Sequence, residues 1–460
     1  MRHSNIFFPI ETIDRELDAK LILASCLSND VGYITFAQHD LVVKLIGLSS
    51  NGVYFGKNIM NPNKYKMYKS AKEKGFTIAH LDEEGVYQGL QPGIESILET
   101  RLDISSMQPD DYVFTWGKFQ EEFYRSNFKG INPPNIETTG HIRFEMFKKP
   151  FRSYHDEKAE NYRKKYGRYI LIPTTFGFSL SPHGYSDTFS RRNGYGVTKY
   201  KTSKLIKDWA SQQHQLAHLI ELIHEISPKF PDFKLILRPH VAEDVVFYKN
   251  ALAGLKNVVV INEGSSPSWI SGAELLIHNG STVGLEAYFR DRSVIHYEFL
   301  SNQETDSLII SKIGRKCRNP EDVIDAIHEV ENGKKLANNE AFTEFDKSIL
   351  CQLENDNFMR LPKLLEEIII DKSSKGIAKN VPVLRLFFIE YLHQMISYLK
   401  KPIRKLFFPK LHRIYLADQA SFPGFNKSDL LSRLNRIEQL TNKKLEIKYI
   451  GKRIFFLKIN

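Results

Sequence analysis

A strand, a short loop and a helix start follow one another near residue 280, in a pattern that suits anion binding. The apolar run Leu275–Ile277 predicts the buried strand. Free backbone N–H groups and the positive end of the helix dipole would meet at the following turn, beside two hydroxyl groups. This arrangement can hold a phosphate, although Ser and Thr are also ordinary helix N-caps. The residues concerned are His278, Asn279, Gly280, Ser281 and Thr282.

Arg238, Pro239 and His240 form a second polar cluster after the predicted strand Lys234–Leu237. Pro239 ends the strand, so Arg238 or His240 can face a phosphate or a carboxylate. One turn into the helix that begins at Thr282, Glu286 can accept hydrogen bonds from a ribose diol. Ligands of open α/β sheets bind at the carboxyl ends of strands, which favours a nucleotide site at these positions.

Two acidic groups in the first part of the chain also follow predicted strands. Glu11 and Arg15 come after the first strand, and Glu84 lies in the turn Asp82–Gly85 after another strand. A carboxylate at a sheet edge can act as a general base or as a nucleophile. The alternatives are a charge that complements a helix N-terminus for Glu11 and a solvated acidic turn for Glu84. No spacing resembles a metal site, a Walker loop or a nucleophile elbow.

Strands and helices alternate along most of the chain, which predicts an α/β protein with largely parallel sheets. At 460 residues the chain exceeds what one core usually organises. We therefore expect Rossmann-like domains at 1–150 and 151–371. A basic amphipathic segment at 372–420 and a small αβ coda at 421–460 complete the expected organisation.

Composition bounds the compartment and the class of partner. Three isolated cysteines without CxxC spacing argue against disulfides and zinc sites and favour a reducing compartment, so we expect a cytoplasmic protein. The net charge is +10, but residues 372–460 hold 19 Lys and Arg against five Asp and Glu, a surplus of 14, which leaves about −4 for the first 371 residues. The basic charge belongs to the tail, and we expect no nucleic-acid partner.

The tail mixes large apolar residues with Lys and Arg between Val381 and Leu416, where Glu390 is the only acid before residue 417. A basic amphipathic helix of this kind favours peripheral attachment to the anionic inner leaflet of a membrane. The alternative is a helix that packs on the second domain with its basic face in water.

Several ordered blocks together resemble the bacterial surface carbohydrate (capsule and lipopolysaccharide) biosynthesis proteins. That family is related to GT-B glycosyltransferases that use CMP-activated ulosonic sugars such as Kdo. The resemblance covers roughly residues 6–300. The main blocks are I-E-T-I-D-R-E-L-D-A-K (10–20), L-D-E-E-G (81–85), T-G-H-I-R-F-E (139–145), R-P-H (238–240) and I-H-N-G-S-T-V-G-L-E-A (277–287).

The resemblance implies a GT-B-like pair of Rossmann-like domains facing a cleft, with the nucleotide on the second. It implies a glycosyltransferase that needs no metal or other cofactor, since a helix dipole and basic residues can neutralise the leaving phosphate. The donor would be CMP-Kdo or a CMP-nonulosonic acid, and the acceptor a glycan or glycolipid.

The resemblance also implies roles for individual residues. Arg238 and His240 would approach the CMP phosphate or the sugar carboxylate, Ser281 and Thr282 would hold the phosphate, and Glu286 would meet the ribose. Our hypothesis adds Glu11, Glu84 or His240 as catalytic residues, and Arg15 and Arg143 as ligands of a carboxylate of the acceptor or the donor. Two other functions stay open: a CDP-polyol phosphotransferase of teichoic-type polymer synthesis, and a non-catalytic scaffold of polysaccharide assembly.

Overall fold

The computed structural model describes most of the chain and divides it into two compact units. The described residues are 5–57, 62–83, 95, 98, 99, 101–182, 184, 188, 189, 202–299, 309–338, 340–354, 359–376, 378–407 and 422–460. Residues 155–342 belong to the second unit, and residues up to 86, 92–154 and 343–460 belong to the first. Each unit is built around one sheet.

Fourteen strands are numbered in chain order. They are β1 (Asn5–Ile10), β2 (Tyr33–Gln38), β3 (Gly52–Gly56), β4 (Phe76–Leu81), β5 (Tyr112–Thr115), β6 (Asn135–Thr138), β7 (Tyr169–Pro173), β8 (Lys234–Arg238), β9 (Val258–Val260), β10 (Leu275–His278), β11 (Ser293–Tyr297), β12 (Arg315–Cys317), β13 (Leu445–Gly451) and β14 (Ile454–Ile459).

The α-helices of the described residues are numbered in the same way. They are α1 (Asp18–Ser25), α2 (His39–Leu48), α3 (Pro62–Glu73), α4 (Lys118–Asn127), α5 (Ile142–Glu145), α6 (Asp156–Tyr166), α7 (Thr202–Lys229), α8 (Val245–Ala251), α9 (Ser266–Gly272), α10 (Val283–Phe289), α11 (Pro320–Glu331), α12 (Glu344–Ile349), α13 (Arg360–Ser374), α14 (Val383–Phe407) and α15 (Lys427–Thr441).

The first unit holds an eight-stranded sheet in the order β13-β14-β2-β1-β3-β4-β5-β6. Strands β1 to β6 are parallel to their neighbours, and the hairpin β13–β14 adds to β2 in antiparallel orientation. All six residues of β1, NIFFPI, are buried. Such a continuous apolar run is typical of a central parallel strand that is covered on both faces.

The second unit holds a six-stranded, fully parallel sheet in the order β12-β11-β10-β7-β8-β9. Its core lies between this sheet and helices such as α7, and includes Ile170, Leu222, Leu235 and Ile295. The predicted α/β class, GT-B-like in having two Rossmann-like units, is therefore confirmed.

The strand orders define one switch point in each sheet. In the first, the chain passes from β1 to β2 on one side and then to β3 on the other. In the second, it passes from β7 to β8 and β9, and later places β10 on the opposite side of β7. The loops after β1 and β3, and those after β7 and β10, therefore diverge at the carboxyl edges, where open α/β sheets form ligand crevices.

The chain segments group differently from the expected domain boundaries. The first unit extends to Tyr154, and the second ends at Phe342 rather than at residue 371. Helix α12 packs on α4 and α13 packs on β3, both in the first unit. The expected coda is not a separate domain, because its hairpin extends the first sheet through five residue pairs between β14 and β2.

Within the expected basic segment, residues 383–407 form the helix α14, and its contacts with β13 place it in the first unit, not on the second. Residues 408–420, the last part of that segment, lie outside the described residues. No helix in the described part of the chain is long and apolar enough to cross a membrane.

Phe455 offers a test of whether the hairpin belongs to the core of the first unit. Its side chain is fully buried, stacks on Phe36 at a centroid distance of 5.0 Å and meets Phe425 at 4.8 Å. We expect Phe455→Ala to lower the free energy of unfolding of the first unit by about 3–5 kcal/mol in urea denaturation. Lys448→Ala, on the exposed side of β13, is the control. If Phe455→Ala shifted only a separate, small unfolding transition and left the main transition unchanged, the hairpin would not share the core of the first unit.

Candidate functional site

Glu11 and Lys57 meet at the switch point of the first sheet. Glu11 follows β1, Lys57 follows β3, and the Lys57 Nζ lies 2.9 Å from the Glu11 Oε2. His39, the first residue of α2 after β2, places its Nε2 3.9 Å from the Glu11 Oε1. Residues that follow three adjacent strands thus converge on one carboxylate.

A network of buried ion pairs lies next to the Glu11 carboxylate and is connected to it through Lys57. The Lys20 Nζ lies 3.2 Å from the Glu16 Oε2 and 3.0 Å from the Glu83 Oε1, and it donates to the Pro9 carbonyl at 2.8 Å. Lys57 also pairs with Glu16, at 2.8 Å. We call the set of Glu11, Glu16, Lys20, Lys57, Glu83 and His141 the edge network.

His141 completes the edge network as a neutral imidazole. Its Nδ1 accepts a hydrogen bond from the Arg143 backbone N–H at 3.1 Å, and its Nε2 lies 3.2 Å from the Glu83 Oε2. Since Nδ1 accepts, the ring proton of the neutral form sits on Nε2 and points to Glu83. Burial lowers the pKa of His141, against the opposing pull of the Glu83 carboxylate.

The pKa shifts of the charged members favour their charged forms. Burial alone would raise the pKa of Glu83, but the Lys20 ammonium and the His141 hydrogen bond hold it well below its usual range. Burial would likewise lower the pKa of Lys20 and of Lys57, and the neighbouring carboxylates instead raise both. Glu83, Lys20 and Lys57 are therefore charged at neutral pH and pair with neighbouring groups of opposite charge.

A π-helical turn at Ile13–Leu17, just before α1, carries Glu16. Such turns are rare and often occur at functional sites. The turn directs Glu16 back so that its carboxylate accepts from the Glu11 backbone N–H at 3.1 Å. Arg15 in the same turn donates to the Glu83 carbonyl at 3.2 Å, so this predicted carboxylate ligand lies beside the network.

Exposure separates the members of the edge network. The Glu11 side chain is 37% exposed, whereas that of Glu16 is 1% exposed and that of Glu83 is 6% exposed. Of these three carboxylates, that of Glu11 is therefore the most accessible from solvent, and Lys57 links it to the buried Glu16. Glu84, the other predicted carboxylate of this unit, lies outside the described residues.

Arg143 lies within α5 and is buried, at 4% exposed. Its guanidinium carbon is 5.1 Å from the centroid of the Phe144 ring and 6.0 Å from that of Trp116. Trp116 also lies against His141, at 4.9 Å between ring centroids. The predicted contact of Arg143 with a substrate carboxylate stays a prediction, and it requires access to a side chain that is packed among rings.

At the switch point of the second sheet, hydroxyl and backbone groups take the place of carboxylates. Thr175, after β7, donates to the Asn279 carbonyl, after β10, at 3.2 Å, and Asn279 Nδ2 donates to the Tyr297 carbonyl at 3.1 Å. Gly280 has a φ of +70°, which suits glycine. The predicted loop after β10 is thus tied to its neighbours on both sides.

Ser281 and Thr282 precede the seven-residue helix α10 as predicted, with different environments. The Ser281 Oγ accepts from the Val283 N–H at 3.3 Å and is buried, so it already caps one of the free donors. Thr282 is partly exposed and makes no side-chain cap. Phosphate binding here stays a prediction, with Thr282 as the more accessible hydroxyl.

Glu243 holds the loop after β7 in place. Its carboxylate accepts from the Phe176 N–H at 2.7 Å, from the Tyr248 hydroxyl at 2.6 Å and from the Thr174 hydroxyl. Burial raises the pKa of Glu243, against the effect of these hydrogen bonds. Since Glu243 comes shortly after β8, it couples the loops of two neighbouring strands.

The Arg238 and His240 cluster lies at the same edge, after β8, with its side chains engaged by the protein. Arg238 donates to the Glu263 carbonyl at 2.6 Å and to the Gly264 carbonyl at 2.9 Å, and it lies over Trp269. His240 is exposed, and its Nδ1 accepts from the Ala242 N–H at 3.2 Å. Their predicted donor-binding roles are untested.

His278 and Glu286 are both buried in the second unit. The His278 ring stacks on His296 at 4.9 Å and its Nε2 lies 3.3 Å from the Ile313 carbonyl. Burial and the neighbouring His296 hold the pKa of His278 well below its usual value. A Cβ at Gly284 would stand 2.8 Å from that Nε2, so the ring lies beneath α10 and not in the loop. Donor contacts by either side chain stay predictions.

Four residues at these edges were not predicted: Lys20, Lys57, His141 and Glu243. Glu16 and Glu83 belong to the two acidic groups expected at the sheet edge, although Glu11 and Glu84 were preferred within those groups. Signals existed for some of them. Glu16 and Lys20 are four residues apart, as helical ion pairs are, and Glu83 and His141 lie within blocks of the family resemblance. Lys57 has no local signal beyond its place after a strand.

The similarity of this chain to known proteins is limited to distant structural matches. No protein-family model matches it, and no curated protein does. A structure of the wall teichoic acid polymerase TagF matches with 13% identity over 81% of this chain and 89% of that one, at a TM-score of 0.41. A structure of a TagF variant with CDPG matches with 14% identity over 70% of this chain and 73% of that one, also at 0.41.

A third structure, the UDP-GlcNAc 2-epimerase of Methanocaldococcus jannaschii with UDP-GlcNAc and UDP, matches with 14% identity over 69% of this chain and 75% of that one, at a TM-score of 0.40. Identities and scores at this level bear on no question of activity.

His141 makes the stability of the first unit depend on pH. Its pKa is lowered in the folded state, so between that value and about 6.5 the unfolded chain binds more protons and stability falls as the pH falls. We expect His141→Gln, which can still donate to Glu83, to remove roughly one proton from this dependence as the pH falls below about 6.5. Urea denaturation over that range measures it. An unchanged slope would show that His141 is not buried as a neutral ring.

Proposed function

We propose that this protein is a cytoplasmic glycosyltransferase that moves a sugar from a nucleotide donor to a surface polysaccharide acceptor. The observation that carries the proposal is the placement of distinct polar groups at both switch points. The first sheet presents a partly exposed carboxylate on a rigid ionic support. The second presents a glycine turn, hydroxyl groups and a helix start.

The chemistry of each edge fits one half of a transfer reaction. Glu11 would accept the proton of the acceptor hydroxyl as it attacks the anomeric carbon, while Lys57 orients the carboxylate through its 2.9 Å ion pair. In the second unit, the loop from Asn279 to Thr282 would hold the phosphate of the departing nucleotide. If the reaction retains configuration, Glu11 would instead be the nucleophile.

The donor that we propose is CMP-linked Kdo or a CMP-nonulosonic acid. Support comes from the resemblance of the blocks at 10–20, 81–85, 139–145, 238–240 and 277–287 to the surface carbohydrate biosynthesis family. The CDP-polyol phosphotransferase function would use the same two edges with another donor, and it would leave phosphate in the polymer product.

The choice of nucleotide can be measured by thermal shift with CMP, CDP, UDP and GDP. We expect CMP to raise the melting temperature most, because binding to the folded state stabilises it. The Ser281→Ala/Thr282→Ala variant should lose the shift, and Ser211→Ala on α7 should keep it. Selective stabilisation by UDP or GDP would sink the CMP-sugar donor, and selective stabilisation by CDP would favour the polyol phosphotransferase.

The role of Glu11 can be tested by turnover. Glu11→Gln keeps the shape of the side chain and removes the base, so we expect transfer from the CMP-sugar to fall by roughly 10²–10⁴-fold. The CMP-induced thermal shift should stay unchanged, because nucleotide binding is assigned to the second unit. Glu122→Gln, on the exposed side of α4, is the matched control. Normal turnover by Glu11→Gln, with a loss in Glu84→Gln, would move the base to Glu84.

A further inference from the structure

The helix α14 of the first unit exposes an apolar surface that no described residue covers. Twelve large apolar or aromatic side chains of this one helix are each at least 40% exposed. They are Leu384, Phe387, Phe388, Tyr391, Leu392, Met395, Ile396, Tyr398, Leu399, Ile403, Leu406 and Phe407. Contiguous exposed apolar surface on this scale marks an interaction site.

Four of the exposed residues define one side of the helix. Leu384, Phe388, Tyr391 and Met395 recur at intervals of three or four residues, which places them on a single face. The buried Leu386 lies two positions after Leu384, roughly 200° around the helix. This apolar face therefore points away from the side on which the helix packs.

A buried ion pair fixes the packed side of α14 to the first sheet. The Glu390 carboxylate accepts from the Arg453 backbone N–H at 3.1 Å and from its guanidinium at 2.8 and 2.6 Å. The Arg453 carbonyl in turn accepts from the Gln38 N–H at 2.9 Å. Gln38 ends β2 and precedes His39, so α14 is anchored at the carboxyl edge that carries the edge network.

Beyond this anchor the helix leaves the unit. From Tyr391 to Phe407 every described side chain is exposed, except that of Ser397, which is partly buried. At about 1.5 Å per residue, these 17 residues extend about 26 Å past the anchor. This exposed part of α14 is therefore long enough to lie along an extended surface.

The charge of α14 selects the kind of surface. The helix contains five basic residues, Arg385, Lys400, Lys401, Arg404 and Lys405, and one acid, Glu390. Because Glu390 is buried and paired with Arg453, its charge is not presented to a partner. A helix that combines exposed apolar side chains with the exposed cations Arg385, Lys400 and Lys401 matches an anionic lipid interface, where acyl chains and phosphate headgroups lie side by side.

We propose that α14 lies in the interface of an anionic lipid bilayer and holds the carboxyl edge of the first sheet beside it. The acceptor would then be lipid-linked, and its sugar hydroxyl would reach Glu11 from the membrane side. The docking depends only on α14, whereas the acceptor class rests on the proposed glycosyltransferase function.

Vesicle flotation with the full-length protein tests the docking. We expect at least tenfold tighter binding to phosphatidylcholine vesicles with roughly 30% phosphatidylglycerol than to phosphatidylcholine alone, and weaker binding as salt rises. The variant Phe388→Gln/Tyr398→Gln/Leu399→Gln should lose at least tenfold in binding to the anionic vesicles. The matched control, Ile131→Gln/Tyr65→Gln/Leu431→Gln, replaces three exposed apolar residues elsewhere in the same unit and should bind as the wild type does.

Two outcomes would overturn the docking. One is equal loss of vesicle binding in both triple variants. The other is a wild-type dimer in light scattering that the α14 variant converts to a monomer without any change in vesicle binding, which would make a second copy the occupant. The CMP-induced thermal shift reports the proposed function separately. Its absence in every protein, with vesicle binding intact, would reject the proposed transfer from a CMP-sugar and leave the docking in place.

Discussion

The first unit depends on one buried ammonium, that of Lys20, held between the carboxylates of Glu16 and Glu83. Burying two carboxylates and a lysine is tolerable only when they pair with good geometry, and loss of one partner from such a group costs about 3–5 kcal/mol. The network therefore fixes the π-helical turn and the end of β4 relative to α1. Lys57 pairs with both Glu16 and Glu11, so it connects the Glu11 carboxylate to this fixed part of the network.

The two units share one feature of topology, a reversal of strand order in a mainly parallel sheet, although their strand orders differ. Each parallel sheet opens a crevice where its strand order reverses, and each places polar groups there. At the carboxyl edge of its sheet, the first unit places carboxylates and ammonium groups that pair with one another, and the Glu11 carboxylate is partly exposed. The second anchors its loops through the buried Glu243, and presents backbone and hydroxyl groups. Under the proposed function, Glu11 would accept a proton on the first unit, and the loop after β10 would hold the phosphate of the donor on the second.

The hairpin β13–β14 connects the helix α14 to the carboxyl edge of the first sheet. Strand β14 extends the sheet next to β2, and the turn between β13 and β14 carries Arg453. Through the Glu390 ion pair this turn positions α14 beside the carboxyl edge. The exposed helix α14 and the candidate base Glu11 are thereby attached to the same end of the same sheet.

Local apolar runs and turn residues were enough to predict the α/β class, most strands, the glycine turn at 278–282 and the position of Glu11 after β1. The contacts of Lys57 with Glu16 and of His141 with Glu83 were visible only in the folded chain, because these residues lie far apart in the sequence. The pairing of the coda with the first sheet was likewise visible only there, because strand pairing over some 400 residues leaves no local pattern. The exposure of each side chain is also a property of the folded chain. The structure shows that His278 is buried beneath α10 and that Glu11 is partly exposed.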